Sequence, residues 1–170
     1  EVIEVLEAGG THAAIPAKEQ FCVCVSTDVQ GYTRFAEGLA PLELQRQLNR
    51  YFAALSPAVV NNGGRVSDIV GDSMLAVWTS EQLSPAQLCQ QACQAAWQIV
   101  EAAEHGEVPL KTRVGVYSGM ATLGSLGGEG HYEYRVVGDV VNTSTRLQEL
   151  NKRLGTHVLL VREIAQHLPT

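Results

Sequence analysis

The sequence predicts an α+β domain on a split βαβ plan, and three observations carry that prediction. Phe21 to Ser26 (FCVCVS) is a short apolar run rich in strand formers, and after Gly31 the apolar period becomes helical. Arg65 to Val70 and Ser73 to Trp78 are two strand-like runs that meet at Gly71-Asp72. A second amphipathic helix then leads into an alternating run from Lys111 to Met120. The order strand, helix, hairpin, helix, strand is that of a ferredoxin-like βαββαβ core, with an antiparallel-rich sheet and extra C-terminal elements.

Each element has its own justification. Residues 1–19 mix a short apolar-acidic stretch with Gly9-Gly10 and Pro16, and read as a linker ahead of a domain spanning 20–170. Phe21 to Ser26 is apolar on both faces, as a buried central strand requires. Leu44, Leu48, Tyr51, Phe52, Leu55 and Val59 mark one face of a long helix. Pro41 suits its first turn and Asn62-Gly63-Gly64 its end, while Pro57 predicts a kink or a break inside it. Glycine first in the two-residue Gly71-Asp72 turn suits a type II′ hairpin. Ser84-Pro85-Ala86-Gln87 is a capping box with proline at the first helical position. The helix it starts runs through Leu88, Ala92, Ala96, Ile99 and Ala103 to Gly106. Gly124 to Gly130 (GSLGGEG) reads as a flexible connection, because no Gly-Lys-Ser/Thr follows to make it a phosphate loop. Tyr132 to Val137 is a further strand, Asp139 to Leu154 a helix closed by Gly155, and His157 to Val161 a last short strand.

Composition narrows the function. The chain has 170 residues, 45% of them hydrophobic, and a net charge of −6. An acidic globular domain of this size folds without staples and is unsuited to nonspecific binding of nucleic acid or anionic membrane. No apolar run approaches the ~20 residues of a membrane span. The four cysteines fall in pairs, Cys22/Cys24 and Cys89/Cys93, with both thiols of each pair facing one way. That is the habit of buried small hydrophobes in a reducing cytoplasm rather than of a disulfide scaffold. Trp78 and Trp97 are expected in the core. The start at Glu1 rather than Met suggests a fragment.

The topology points to a site. The first strand and the first hairpin arm run the same way, because a crossover helix joins them. The returning arm therefore lies beside the first strand, and Asp28 and Asp72 meet at one sheet edge. Two carboxylates so placed can hold two Mg²⁺ ions, as phosphoryl-transfer sites do. Taken singly, each aspartate suits ordinary turn and cap chemistry equally well. The strand-to-helix turn Val29-Gln30-Gly31-Tyr32-Thr33 presents backbone N–H groups that a phosphate can approach at Gly31.

Five runs, in order and at matching separations, resemble the class III nucleotidyl cyclase catalytic domain, most closely that of bacterial sensor cyclases. They are Ser26 to Thr33, Gly63 to Val66, Gly71 to Ser73, Arg113 to Gly119 and Val137 to Leu147. The resemblance implies that domain's fold and the conversion of a nucleoside triphosphate to its 3′,5′-cyclic monophosphate and pyrophosphate. It implies two Mg²⁺ (or Mn²⁺) ions on Asp28, Asp72 and the Val29 carbonyl. It assigns Gly31, Tyr32 and Thr33 to the terminal phosphates, Asn142 to ribose orientation and Arg146 to the transition state. Asn142 and Arg146 are four apart and share a helix face. It also implies a homodimer with active sites at the interface, in the cytoplasmic catalytic domain of a membrane-anchored sensor protein.

Two positions depart from the pattern. The base-reading lysine and aspartate (or threonine) of typical adenylate cyclases are replaced by Asp68 and Arg135. Arg135 can donate to adenine N1 while Asp68 accepts from N6, but guanine can be served too, and the two can also pair with each other. ATP is favoured over GTP by the family's habit. The family's phosphate-gripping lysine lies on a strand near the domain's C-terminal end, which this chain is expected to lack, and Lys152 is poorly placed to replace it. The competing readings are a non-catalytic cyclase-like nucleotide-binding or dimerising module, and a metal-dependent polymerase-like enzyme on a related fold.

Overall fold

The computed structural model describes residues 15–128 and 131–168. The first strand, β1 (Lys18–Val29), leads into a short helix α1 (Tyr32–Glu37) and the long α2 (Pro41–Val60). The hairpin β2 (Arg65–Val70) and β3 (Ser73–Trp78) is followed by α3 (Pro85–His105). Then come β4 (Thr112–Gly128), β5 (His131–Val137), α4 (Asp139–Leu154), β6 (Val158–Leu160) and α5 (Arg162–Ala165). The sheet order is β2-β3-β1-β4-β5, with β6 parallel to β4 and every other pair antiparallel. The first four strands and the two crossover helices are the ferredoxin-like core the sequence predicts.

Strand alternation explains how one sheet feeds two cores. Val23, Val25 and Val29 face α2 and α3, where they pack with Tyr51, Leu55, Ala92 and Ile99. Cys22 and Cys24 face the other way, with Val77, Leu123 and Val140 of α4. Three of the four cysteines are buried and all four are free thiols. Gly115 lets α4 cross β4 closely: a Cβ there would lie 2.1 Å from the Ser144 carbonyl oxygen and 2.3 Å from the Gln148 nitrogen. The α4 helix is further pinned by Asn151, whose amide donates to the Val114 carbonyl at 3.0 Å.

Local signals are realised closely at the caps and turns. Ser84 and Gln87 form the reciprocal capping box, and Pro85 opens α3. Gly71 has φ +60° while no non-glycine residue among those described has positive φ, as a II′ turn requires of Asp72. Gly155 closes α4 in the left-handed conformation.

Several expectations are corrected. The break expected at Pro57 does not occur, since α2 is one helix from Pro41 to Val60; Ala53, whose carbonyl loses its donor there, is exposed, so water can take the missing bond. Glycines 124–128 are not a loop but the end of β4, because β5 supplies a ladder of partners from Gly124↔Arg135 to Gly128↔His131. Residues 129–130 of that run, like residues 1–14 of the expected linker, lie outside the described residues. Lys18 and Glu19 already belong to β1, paired with Leu123 and Thr122. Trp78 is fully buried, its indole N–H donating to the Asn62 carbonyl at 2.8 Å, but Trp97 is 62% exposed. On α3 the buried face is Leu88, Ala92, Ala96, Ile99 and Ala103, and Trp97 falls one position beyond it. Neither α1 nor α5 was foreseen. Among the described residues no helix is long and apolar enough to cross a membrane.

Candidate active site

The site is built where β1 ends beside the β2–β3 turn. Ser26 of β1 stands opposite Leu75 of β3, so two residues on Asp28 comes level with the hairpin tip that carries Asp72. The Val29 N–H donates to Asp72 Oδ2 at 3.1 Å and ties tip to strand. Burial pushes the Asp72 carboxyl up to about 6, and the neighbouring Asp28 carboxyl adds to the rise, against the pull of the Val29 N–H. Two carboxylates therefore converge, with a backbone carbonyl at Val29 between them in sequence. Hard oxygen donors that resist sharing negative charge fit a divalent cation, which relieves that repulsion.

Asp28 has two further partners that sequence reading did not assign. Arg113, directly opposite it on β4, donates from Nη2 to Asp28 Oδ2 at 2.5 Å. Gln148 of α4 donates to the same oxygen at 3.2 Å. Arg113 lay within a recognised run, yet its contact depends on the β1–β4 register, which residue order does not reveal. The Tyr51 hydroxyl is bonded to Thr112 Oγ1 at 2.7 Å; burial pushes that phenol above its ordinary range against the pull of the Thr112 bond, and the two aspartates add to the rise. Ser26 Oγ and Ser144 Oγ lie 2.7 Å apart and join β1 to α4.

Gly31 has φ +76° and open space where a Cβ would stand, and Tyr32 and Thr33 begin α1. Asn142 and Arg146 are exposed, one turn apart on α4. No side-chain hydrogen bond or ion pair joins either to Asp28 or Asp72 among the described residues. The structure thus brings Asp28, Val29 and Asp72 together and leaves Asn142 and Arg146 exposed on α4.

Asp68 and Arg135 meet. They form an ion pair, although β2 and β5 are the opposite ends of the five-strand path. Arg135 also donates from Nε to Glu133 at 2.9 Å, and the Arg65 guanidinium stacks 4.3 Å from the Tyr134 ring centroid. The sheet is therefore curled so that its edges touch. A register shift between Val66 and Asp68 sets Asp68 opposite Leu75, beside a cavity of about 200 Å³ shared with Val141, Thr145 and Gln148 of α4.

Comparison with known proteins agrees with this architecture. The profile of the adenylate and guanylate cyclase catalytic domain matches residues 15–168. Adenylate cyclase 1 of Rhizobium meliloti is 31% identical over 151 residues, which are 84% of this chain and 23% of that protein. The adenylate cyclase of Anabaena cylindrica is 28% identical over 172 residues, 98% of this chain and 33% of that protein. The chain thus spans a third or less of the length of these relatives. A bacterial light-regulated adenylyl cyclase superposes with a TM-score of 0.84 at 20% identity, over 99% of this chain and 51% of that one, and shows the same fold. With the family profile matching nearly end to end over the ferredoxin-like core and the paired aspartates, the chain belongs to the adenylate and guanylate cyclase catalytic domain family.

Proposed function

We propose that the domain closes a nucleoside triphosphate, ATP in preference to GTP, into its 3′,5′-cyclic monophosphate with release of pyrophosphate, in cyclic-nucleotide signalling. The observation that carries this reading is the convergence of Asp28 and Asp72 at one sheet edge. Asp28, Asp72 and the Val29 carbonyl would hold two Mg²⁺ or Mn²⁺ ions, which supply Lewis-acid stabilisation of the entering and leaving oxygens. The Gly31, Tyr32 and Thr33 backbone binds the terminal phosphates. Asn142 orients the ribose so that its 3′-oxygen faces the α-phosphorus. Arg146 places fixed positive charge where negative charge develops, a role worth roughly 3 kcal/mol.

The exposure of Asn142 and Arg146, neither bonded to Asp28 or Asp72 among the described residues, supports a homodimer in which each site takes Asp28 and Asp72 from one subunit and Asn142 and Arg146 from the other. Base selection falls to Asp68 and Arg135. Their ion pair offers one acceptor and one donor edge, which matches adenine N6 and N1. Guanine fits the same two groups, and it is the names of the curated relatives that favour adenine. We place the domain in the cytoplasm, where its substrate is, as the catalytic part of a sensor protein.

A second reading, a nucleotide-binding or dimerising module without turnover, draws on the same closed Asp68–Arg135 pair, which occupies the groups meant for the base. The two readings separate in one experiment. The full-length protein is incubated with Mn²⁺ and ATP or GTP in turn, and products are identified by mass. Cyclic AMP and pyrophosphate are expected. Nucleotide binding without any cyclic product would establish the module instead.

A further inference from the structure

The two carboxylates of the site are held in different ways. Asp72 accepts a neutral backbone N–H, from Val29 at 3.1 Å. Asp28 accepts from a cation. Arg113 stands directly opposite it in the β1–β4 ladder and donates from Nη2 to Asp28 Oδ2 at 2.5 Å. Gln148 of α4 donates to the same oxygen at 3.2 Å. A carboxylate oxygen offers about two acceptor positions, so Oδ2 is fully taken by donors of the protein itself. The Arg113 side chain is only 12% exposed, and its buried Nε has no partner among the described residues. Arg113 also lines a cavity of about 390 Å³, whose other charged walls are Lys111 and Lys152, with no aspartate or glutamate. The guanidinium therefore has one carboxylate within reach and like charges on its other side, which makes contact with Asp28 its resting position.

We infer that Arg113 competes with the divalent cation for Asp28 and acts as a latch that keeps the carboxylate pair from filling with free metal. The inference rests on the cyclase reading for the use of the metal, but the competition itself needs no turnover. Two effects have the same sign. A cation that takes Oδ2 costs Arg113 its charge-assisted hydrogen bond, and a cation elsewhere on the carboxylate stands close to the guanidinium and is repelled by it. The ladder sets the latch: with Asp28 opposite Arg113, Thr27 opposite Val114 and Val29 opposite Thr112, the two side chains meet on one face of the sheet. Lys111 lies two residues away and is exposed, so water and salt screen its charge. The latch is thus a property of one bonded cation and not of the general field.

The test is titration of full-length protein with Mn²⁺ in the absence of nucleotide, with free Mn²⁺ followed by its electron paramagnetic resonance signal. Arg113→Gln should tighten Mn²⁺ binding by roughly ten- to hundredfold, the worth of one charge-assisted hydrogen bond. Arg113→Lys keeps the charge and should stay close to the weak wild-type affinity. Lys111→Gln makes the same change of charge without touching Asp28 and should move the affinity less than about threefold. Unchanged or weaker binding by Arg113→Gln, tightening by Arg113→Lys to the same level, or equal tightening by Lys111→Gln would each overturn the latch. A wild-type measurement stands apart from the folding of any variant. Saturating Mg²⁺ should release Arg113 and speed its modification by phenylglyoxal, read by peptide mass, while Arg46 and Arg50, 65% and 61% exposed, keep their rates. An Arg113 rate that Mg²⁺ leaves unchanged would overturn the latch as well. Tightened Mn²⁺ binding by Arg113→Gln, where the wild type makes no cyclic product, would overturn the cyclase reading alone. An active wild type with unchanged Mn²⁺ affinity in Arg113→Gln would overturn the latch alone.

Discussion

Replacing Asp72 by asparagine should stabilise the metal-free protein at pH 8 and leave its stability almost unchanged at pH 4. The cause lies in the site's own repulsion. Burial and the adjacent Asp28 raise the Asp72 carboxyl to about 6, above the ordinary ~3.9 it has in the unfolded chain. Below about pH 4 the group is protonated in both states and has no effect. Between about pH 4 and 6 the unfolded chain loses its proton first, so the folded state binds more protons and stability falls as pH rises. Above pH 6 the penalty is complete. Its ceiling is about 3 kcal/mol, and solvent screening at this half-open tip reduces it to roughly 1–2 kcal/mol. Asparagine removes the charge but keeps an oxygen for the Val29 N–H, which donates at 3.1 Å. The assay is thermal melting of wild type and variant in EDTA at pH 4 and pH 8. The variant should gain about 2–8 °C at pH 8 only. Saturating Mg²⁺ should erase the difference by stabilising the wild type, whose two carboxylates can share the cation. Equal or lower stability of the variant at pH 8 would refute the idea that the two carboxylates strain each other.

Other consequences follow from particular contacts. Gly115→Ala drives a Cβ to within 2.1 Å of the α4 backbone and should cost about 3 kcal/mol, read as a fall in the urea midpoint. Because α4 carries Gln148, which is bonded to Asp28, the same variant should lose turnover beyond its loss of folded protein. Asp68→Asn breaks the charged pairing with Arg135 and should change the ATP-to-GTP ratio of kcat/KM by roughly 5- to 100-fold, the worth of one such contact; an unchanged ratio would remove both residues from base selection. Trp78→Phe loses the indole bond to the Asn62 carbonyl and should destabilise by about 1 kcal/mol.

What residue order disclosed was whatever local chemistry decides. The capping box at Ser84, the proline starts of α2 and α3, the glycine at the hairpin turn and the left-handed close of α4 are fixed within a few residues of themselves. Chain direction alone then brought Asp28 to Asp72, since a crossover makes β1 and β2 parallel and a hairpin returns β3 beside β1. Tertiary partners were invisible. Glycines 124–128 read as a loop because strand formation there depends on β5 across the ladder. Arg113 and Gln148 reach Asp28 only through strand register and helix packing. The Asp68–Arg135 pair depends on the curl that closes opposite sheet edges. Trp97 looked like core by residue type, whereas helix phase places it outward.

The account's central claim, a nucleotidyl cyclase site shared between two subunits, is tested most directly by complementation. In full-length protein, Asp28→Ala should silence both sites of its homodimer, and so should Arg146→Ala. Mixed and allowed to exchange subunits, the two inactive variants should form heterodimers in about half of all pairings, each with one site carrying both defects and one carrying neither. Cyclic nucleotide production should then recover to about a quarter of wild type, provided that the two sites act independently. Demonstrated heterodimers with no recovered activity, alongside an active wild type, would contradict the shared site and assign Asp28 and Arg146 to a site within one chain.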